Sequence, residues 1–408
     1  MIVQYSFEQL FTMVDGDRGK NYPKDSDFSE EGYCLFLNAG NVTSNGWSFE
    51  DKMFISKEKD EILNKGKVSK GDLIITTRGT VGNVVLYNER VPFENVRINS
   101  GMLILKINNE EALDNRFAYY LLISPYVKKI ISLFCSGSAQ PQLPVKDFKK
   151  IKVNLPSIDF QRKTAFLLYS FDLSIENNTK RIKLLEKMAE NLYKEWFARF
   201  RFPGHEGVEF ENGLPMGWVY TTIEDLSEIL QRGISPQYDD DGEYTVISQK
   251  CIRTSVVDFS ESRHQTKKYK SELNLQDADI VICSTGTGTL GRVGKVIGNY
   301  PNTTFDSHVT LVRAKAGISK QYLYSAIKNM QVWLENMGVG STNQQELNRK
   351  TIKNAKIVLP DENTMKRFEE ISKCIHDEIG SLIASRDNLT KQRDLLLPRL
   401  MSGKLEVK

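Results

Sequence analysis

The chain has 408 residues, of which 40% are hydrophobic and 26% charged, a composition typical of globular proteins. This length predicts two or three domains. The formal net charge is only +3, which excludes a histone-like polycation. A nucleic-acid-binding protein with this balance would have to gather its basic residues on one face.

The five cysteines are scattered and include no CxxC pair. This pattern indicates reduced thiols and argues against a structural zinc site. The sequence has no run of 18 apolar residues, and residues 1–5 do not resemble a secretory signal peptide. We therefore predict a soluble, cytoplasmic protein.

The sequence repeats its own pattern roughly 205 residues later, which predicts two similar modules. The run Gly71–Ile75 is repeated by Ala278–Ile282, and Gly79–Gly82 is repeated by Gly288–Gly291. Shorter matches continue in the same order: Asn99–Ser100 with Asp306–Ser307, Gly137–Ser138 with Gly340–Ser341, and Leu155–Pro156 with Leu359–Pro360.

Each copy begins with a short segment that we predict to be helical, Phe7–Leu10 in the first and Ile223–Leu226 in the second. Short β-prone runs follow in both copies: Leu35–Leu37, Leu73–Thr77, Val84–Tyr87, Met102–Ile107, Tyr244–Ile247, Ile280–Cys283, Val293–Ile297 and Val309–Val312. Helical patches at 117–134 and 321–337 come next. The mixture predicts an α/β module in each half.

A long amphipathic segment closes each copy, and its apolar residues recur every seven positions. The predicted seam contains Phe171, Ile175, Ile182, Leu185, Leu192, Ile375, Ile379, Leu382, Leu389 and Leu396. A seven-residue period sustained over several heptads indicates a coiled coil. We predict that the two helices pair antiparallel and hold the modules at opposite ends of a rod, with an approximate two-fold axis. The alternative is two unrelated amphipathic surface helices.

The segment Gly286–Gly291 matches the G-x-G-x-x-G pattern of dinucleotide-binding loops. Such a site needs a helix directly after the glycines, because its N-terminal amides hold the pyrophosphate. Residues 292–298 are instead β-prone and interrupted by glycine, as in the returning strand of a hairpin. The sequence also lacks a G-x-x-x-x-G-K-[ST] phosphate loop and any Pro-Pro dipeptide, which the Asn/Asp-Pro-Pro-aromatic loop of amino-methyltransferases requires. We therefore favour a tight glycine turn, and binding over catalysis.

Polar loops that contain glycine occupy comparable places in both modules. Arginine and lysine can bond guanine edges or phosphates, and asparagine and glutamine can bond adenine. Taken singly, each loop is more typical of solvated surface, and their recurrence in both modules is what favours contact with phosphates or bases. The candidate contacts are Arg18, Lys20, Asn21, Tyr22, Arg78, Gln140, Gln142, Lys146, Arg232, Ser235, Tyr238, Lys267, Lys268, Asn343, Gln344 and Arg349.

The repeat, residues 137–156, the leader Leu214–Trp218 and the run Leu395–Gly403 resemble the specificity subunit of type I restriction-modification systems, over essentially the whole chain. The resemblance implies two α/β (α+β) target recognition domains in a pseudo-two-fold arrangement, separated by two long antiparallel coiled-coil helices. The expected order is target recognition domain 1 at 1–155, long helix 1 at 156–203, target recognition domain 2 at 204–360 and long helix 2 at 361–408.

This resemblance also implies a non-catalytic DNA-recognition subunit. Each domain would read one half of a bipartite, asymmetric sequence in double-stranded DNA, and the helices would set the spacer and dock two modification (methyltransferase) subunits. Restriction (translocase and nuclease) subunits would complete a complex that serves host defence and DNA modification. S-adenosylmethionine, ATP and Mg would belong to those partners, so we expect no cofactor, metal or membrane contact for this chain.

Two other classes of protein stay open from the residues alone. A complete nuclease-methyltransferase would need catalytic motifs that we do not find, although missing motifs do not by themselves exclude catalysis. A coiled-coil adaptor that binds only proteins would share the helices. Salt-dependent binding of duplex DNA would separate that adaptor from a DNA-recognition subunit.

Overall fold

The chain folds into two compact units in which the same order of elements recurs. The computed structural model describes residues 3–136, 141–340 and 345–405. The first unit comprises Met1–Glu176 and Asp387–Lys408, and the second comprises Asn177–Arg386. Each long helix is therefore divided between the units, because each part packs on its own unit, whereas the boundaries drawn from the sequence keep the helices whole.

The first unit contains a short-stranded α/β domain. Its strands are β1 (Val3–Ser6), β2 (Phe11–Asp15), β3 (Cys34–Leu37), β4 (Val42–Thr43), β5 (Gly46–Trp47), β6 (Phe54–Ile55), β7 (Leu73–Thr76), β8 (Val84–Leu86), β9 (Val96–Ile98), β10 (Met102–Ile107) and β11 (Lys152–Leu155). Its helices are α1 (Phe7–Leu10), α2 (Lys57–Ile62), α3 (Asn115–Ile123), α4 (Pro125–Phe134), α5 (Val145–Phe148) and the first part of α6 (Ile158–Tyr193).

A four-stranded antiparallel sheet in the order β2-β10-β7-β8 forms the centre of the first unit. Its residues alternate between two cores, because successive side chains of a strand point to opposite faces. Leu73 and Ile75 pack with α3 on one face, whereas Ile74 packs on the other face with the sheet β6-β3-β9. Burial on both faces explains why β7 is buried throughout and apolar from Leu73 to Ile75.

The second unit repeats this design. Its strands are β12 (Phe210–Glu211), β13 (Leu214–Pro215), β14 (Val219–Thr222), β15 (Ser227–Arg232), β16 (Tyr244–Ile247), β17 (Arg263–Gln265), β18 (Ile280–Cys283), β19 (Val293–Lys295), β20 (Thr303–Phe305), β21 (Val309–Ala314) and β22 (Lys356–Leu359). Its helices are the rest of α6, a π-helical turn (Lys194–Ala198), α7 (Lys320–Asn329), α8 (Gln331–Asn336), α9 (Arg349–Lys353) and most of α10 (Glu362–Met401).

Three sheets of the second unit correspond to sheets of the first, whereas within the described ranges the short hairpins β4-β5 and β12-β13 are each specific to one unit. The central sheet has the order β15-β21-β18-β19, beside a second sheet β17-β16-β20 in which β16 and β20 are parallel. In the first unit β3 and β9 are parallel in the same way. The pair β14-β22 corresponds to β1-β11, and both pairs are antiparallel.

All eight β-prone runs form strands, but three helical predictions need correction. The patch at 117–134 is two helices, α3 and α4, with a bend of 64° between them, because Pro125 begins the second. The patch at 321–337 is likewise two helices, α7 and α8, which meet at Met330. The prediction of a helix at Ile223–Leu226 is wrong, since this segment is a turn. In α1 the amide of Phe11 bonds Phe7 O, whereas the carbonyl of Ile223 accepts the hydroxyl of Ser227 instead.

The two long helices pair antiparallel within each unit. In the second unit, Arg181 forms a 2.6 Å ion pair with Glu378, and Nδ2 of Asn178 donates to Oγ of Ser385 at 3.2 Å. The seam residues Ile182, Ile375, Ile379 and Leu382 are buried together there, with Leu185 and Leu192 partly buried against them. In the first unit, Leu396 packs on the domain core and Phe171, Ile175 and Leu389 are half-buried. The predicted fold class, two sheet-rich domains with coiled-coil helices, is confirmed.

Across the described ranges, no single helix is both long and apolar enough to cross a membrane; only the bent pair α3–α4 meets that test jointly. The same ranges hold no group of three or more His, Cys, Asp or Glu residues that could bind a metal ion.

Candidate nucleic-acid interface

Each unit brings four loops together at the same place in its fold. The first cluster consists of residues 16–18, 78–79, 99–101 and 141–142. The second cluster consists of residues 233–235, 285–289, 306–308 and 345–346. In both clusters, one loop follows the edge strand of the central sheet, one joins its last two strands, and the others complete the surface.

A capped turn forms the centre of each cluster. Oδ1 of Asn99 accepts a hydrogen bond from the amide of Gly101 at 2.9 Å, and Oδ1 of Asp306 accepts one from the amide of His308 at 2.9 Å. Burial raises the pKa of the Asp306 carboxyl, and the amide of His308 partly opposes this shift. Asparagine and aspartate favour such turns because their side chains bond the backbone two residues on.

Backbone hydrogen bonds then fix the neighbouring segments in the same way. The amide of Leu143 donates to Thr77 O at 2.9 Å, and the amide of Leu347 donates to Ser284 O at 2.8 Å. These bonds tie the loop between the last two strands of each central sheet to the segment that precedes α5 or α9. The shared pattern gives both clusters the same backbone frame.

A glycine stands at the closest approach of each edge strand to its turn. A Cβ added at Gly16 would lie 2.1 Å from Asn99 O, and one added at Gly233 would lie 2.0 Å from Phe305 O and 2.4 Å from Asp306 O. No other residue fits at these distances without movement of the backbone. Both clusters therefore depend on glycine at the same position.

Three predicted residues meet in the first cluster. Nη2 of Arg18 donates to Ser100 O at 3.2 Å and lies 3.4 Å from Oδ1 of Asp15, and its side chain is half-exposed. The backbone of Arg78 pairs with that of Gln142. The Arg78 guanidinium has no hydrogen-bond or ion-pair partner among the described residues. The cluster thus presents two guanidinium groups and one exposed amide.

The other predicted residues of the first unit lie apart from that surface. Nδ2 of Asn21 donates to Ile62 O at 3.4 Å, and the Tyr22 ring packs edge-on against Phe36 at 5.7 Å. Lys20 is exposed on its loop, and Lys146 is exposed on α5. Gln140 lies outside the described residues. Tyr22 therefore contributes to packing.

Arg232 forms its contacts within the protein, at the second cluster. It forms an ion pair with Glu346, and its Nη2 donates to Leu347 O at 2.7 Å. Its Nε is buried without a partner among the described residues. This arginine therefore joins β15 to the segment before α9. Arg349 is exposed at the start of α9, and Asn343 and Gln344 lie outside the described residues.

A second group of predicted residues lies beside this cluster. Nζ of Lys267 donates to Ser235 O at 3.0 Å. The Arg263 guanidinium stacks on the Tyr238 ring at 3.7 Å, a cation–π contact that orders both side chains. Burial raises the pKa of the Tyr238 hydroxyl. Lys268 is exposed next to this group.

Sequence reasoning missed the polar side chains that fill the surface of the second cluster. The hydroxyl of Thr285 shares a 2.7 Å hydrogen bond with Nδ1 of His308, and Oε1 of Gln249 accepts from Thr285 and Thr289, both at 3.4 Å. His308 could have been found from the repeat, because it stands two residues after Asp306. No comparable signal marks Gln249.

The glycine-rich loop of the second cluster joins two antiparallel strands, β18 and β19. Gly286, Gly288 and Gly291 have φ values of +102°, +73° and +77°, which favour glycine in a turn. No helix follows them, so the amides are not arranged as in a dinucleotide-binding loop. The prediction of a tight glycine turn is confirmed.

A family model described as type I restriction modification DNA specificity domain matches residues 4–187 and again residues 215–391. The chain belongs to this family. The two matches follow the internal repeat, so each specificity-domain match contains one loop cluster.

Curated relatives of this specificity-domain chain span most of its length. The type I restriction enzyme MjaIX specificity subunit of Methanocaldococcus jannaschii is 25% identical over 351 residues, which cover 83% of this chain and 78% of the relative. The HindI specificity subunit of Haemophilus influenzae is 22% identical and covers 96% and 98%. The crystal structure of the S subunit from M. genitalium matches with a TM-score of 0.63 at 17% identity, covering 98% and 96%. That structural match supports the fold.

Proposed function

We propose that this chain is the non-catalytic DNA specificity subunit of a type I restriction-modification enzyme. Each loop cluster would read one half of a bipartite, asymmetric target in double-stranded DNA. The observation that carries the proposal is that the two clusters share a buried frame and differ in the side chains that the frame presents. Two loop clusters with the same backbone frame but different side chains are suited to two different half-sites.

The presented groups differ in hydrogen-bonding chemistry. The first cluster offers the guanidinium groups of Arg18 and Arg78, which suit the O6 and N7 acceptors of guanine. The second cluster offers the amide of Gln249 and the imidazole of His308, and a glutamine amide suits the N6 and N7 groups of adenine. These differences support asymmetric recognition.

Exposed lysines and arginines around the clusters would bind the DNA backbone. Lys146, Lys268 and Arg349 are exposed and have no ion pair with any residue in the described ranges. Contacts of this kind fix the position of a protein on the duplex and carry no sequence information. They also make binding depend on salt.

The long helices would set the spacer and dock the two modification subunits, and restriction subunits would join the larger complex. Support comes from large apolar side chains that remain exposed on α6 and α10: Phe166, Leu184, Met188, Ile371 and Leu395. Exposed apolar groups along a helix suit protein partners. We propose that S-adenosylmethionine, ATP and Mg bind to those partner subunits and not to this chain.

The half-site assignment can be tested in the assembled enzyme by mapping methylated sites in DNA. Arg18→Ala with Arg78→Ala should alter or abolish recognition of one half-site, because a bidentate contact contributes about 1–3 kcal/mol of discrimination. Gln249→Ala should affect only the other half-site. Lys129→Ala, an exposed change on α4, is the control. Changes in both half-sites from either variant would contradict the modular assignment.

The spacer role can be tested by removing one heptad from each helix. Because Asn178 bonds Ser385 and the two helices run antiparallel, residues 182–188 lie opposite residues 375–381, and these two segments should be deleted together. We expect a shorter spacer between unchanged half-sequences. Altered half-sequences would contradict the spacer role. Methyl transfer by the purified chain alone would contradict the non-catalytic assignment.

A further inference from the structure

A cavity of about 810 Å³ lies within the second unit, away from the loop cluster residues. Its walls come from α6 and α10, from the loop at 253–256, and from β19 and α7 with the residues next to them. Cavities of roughly 300–1,000 Å³ hold small molecules in many proteins. The size alone therefore fits an organic ligand.

The charge of the walls is strongly one-sided. Five lysines, three arginines and two glutamates line the cavity, which leaves a formal excess of six positive charges. Both glutamates are already engaged: Glu190 pairs with Lys187 and Lys194, and Glu186 accepts a hydrogen bond from Ser255. Clefts lined by one sign of charge concentrate ligands of the opposite sign.

Among these cations, Lys295 gives the strongest indication of a bound anion because it is only 5% exposed. Its Nζ donates to Oε1 of Gln321 at 2.7 Å and lies 5.6 Å from the Tyr324 ring centre. Within the described ranges it forms no ion pair. Asp277 and Asp377 lie beyond 4 Å, and their negative charges raise its pKa. Burial lowers its pKa to about 8. A buried ammonium without a carboxylate partner is unfavourable, and a bound anion would remove that penalty.

Two neighbouring cations share this situation. Nζ of Lys328 donates only to neutral oxygens, Val293 O at 3.0 Å and Oε1 of Gln331 at 2.6 Å. Burial lowers its pKa, and Arg292 contributes to the shift in the same direction. Neither Lys328 nor Arg292 forms an ion pair with a described residue. Lys295 on β19, Lys328 on α7 and Arg292 just before β19 therefore line the cavity without an ion pair to any described residue. Glu186 and Glu335 oppose the lowering of the pKa of Lys328, but neither lies within ion-pair distance of its ammonium group.

Part of the lining is apolar. This apolar wall is formed by Ile182, Ala189, Ile379 and Ile383 from the long helices and by Val256 from the loop, although α6 also contributes charged side chains to the lining. A ligand that fills the cavity must therefore combine an anionic group with an apolar or aromatic part.

We propose that this cavity binds a phosphate-bearing small molecule of nucleotide size. Its phosphates pair with Arg292, Lys295 and Lys328, and its ring packs against the apolar wall. The phosphate chemistry could equally come from the DNA backbone, so the experiment distinguishes these two sources. The site is separate from the loop clusters and does not depend on their proposed function.

The test is calorimetric titration of the full chain with ADP, and with adenosine as the phosphate-free probe. We expect ADP to bind at least about tenfold more tightly than adenosine, a difference of about 1.4 kcal/mol. Lys295→Met with Lys328→Met should weaken ADP binding at least about tenfold. Lys373→Met, an exposed change on α10 outside the cavity, should leave binding unchanged.

Equal binding of ADP and adenosine, or no binding of either, would overturn the proposal. So would a loss of duplex DNA binding in the double lysine variant without any ADP binding, because the cavity would then serve the DNA backbone. Methionine matches lysine in length and removes unpaired charge, so the double variant should fold. Arg292→Gln, at a half-buried position, provides an independent variant with the same expected loss of ADP affinity.

Discussion

Asn99 and Asp306 cap the same turn in the two units, each accepting a hydrogen bond of 2.9 Å from the amide two residues on. The two side chains have the same shape but end in an amide in one unit and a carboxyl group in the other, so the frame tolerates either residue. The capped amide belongs to Gly101 in one unit and to His308 in the other. The turn therefore fixes the backbone and leaves the following side chain free to vary.

Substitution of Gly16 or Gly233 tests how strongly this frame depends on glycine. Alanine at either position would place a Cβ within 2.1 Å of a backbone carbonyl oxygen. We predict that Gly16→Ala and Gly233→Ala each lower the free energy of unfolding by about 2–3 kcal/mol, because the backbone must shift. Urea denaturation measures this loss. Gly207→Ala, where the added Cβ meets nothing within 4 Å, is the control. An unchanged unfolding midpoint for both frame variants would refute the prediction.

An ion pair at the centre of each unit also recurs, but with different burial. Arg313 bonds both carboxylate oxygens of Asp279 at 2.8 and 2.7 Å, and the Asp279 side chain is 1% exposed. The equivalent Lys106 makes a single 3.0 Å contact with Asp72 and is itself 37% exposed.

Arg313→Met should therefore cost about 3–5 kcal/mol of folding stability, since it leaves a buried carboxylate without its partner. Lys106→Met should cost about 1 kcal/mol or less. Denaturant unfolding of the two variants gives the comparison, and each is the matched control of the other. An equal or reversed order would show that burial does not govern these pairs.

Local patterns were enough to predict the strands and the two long helices. The runs Leu73–Ile75 and Ile280–Cys283 are apolar throughout because both faces of the central sheets are buried. The strand order could not be predicted, because β10 lies between β2 and β7 through long-range pairing. The turn at Ile223–Leu226 was missed because one serine hydroxyl replaces a backbone donor.

The candidate site was predicted only in part, for the same reason. Arg232 resembled a free cation in the sequence, but its partner Glu346 is 114 residues away along the chain. Gln249 could not be predicted as a site residue because its partner Thr289 lies 40 residues later in the sequence. Tyr22 was a candidate DNA contact in the sequence, but in the fold its ring packs against Phe36. Residue type suggested the chemistry, and only the tertiary contacts assigned each side chain.

Asp172 connects the helix pair of the first unit to its domain. Its carboxylate accepts a 2.6 Å hydrogen bond from the Tyr120 hydroxyl and forms a 2.7 Å ion pair with Arg393. Burial and this carboxylate raise the pKa of Tyr120. We predict that Asp172→Asn lowers the free energy of unfolding by about 1–3 kcal/mol, because charged hydrogen bonds to a buried hydroxyl are lost.

The matched control is Asp394→Asn, which removes the other carboxylate that Arg393 contacts, at 2.8 Å. Its side chain is 56% exposed, so the expected loss is below about 1 kcal/mol. Thermal unfolding followed by circular dichroism compares the variants. Equal losses would mean that Arg393, and not the Asp172 network, determines the stability of this helix pair.

The buried His376 side chain should make the stability of the second unit depend on pH. This side chain is buried on α10, its Nδ1 bonds Ser372 O at 2.7 Å, and its ring meets Tyr324 edge-on. Burial, with Lys295 as a smaller cause, lowers its pKa from 6.5 to about 4. The unfolded chain therefore takes up a proton between these two values that the folded chain excludes.

The contribution of His376 to stability is consequently complete above pH 6.5 and is lost as the pH falls toward 4. Between pH 7.5 and pH 4.5, the wild-type chain should lose about 2–3 kcal/mol more than His376→Leu, which cannot take up the proton. Urea denaturation at both pH values measures this difference. Parallel losses in the two proteins would mean that folding does not lower the pKa of His376.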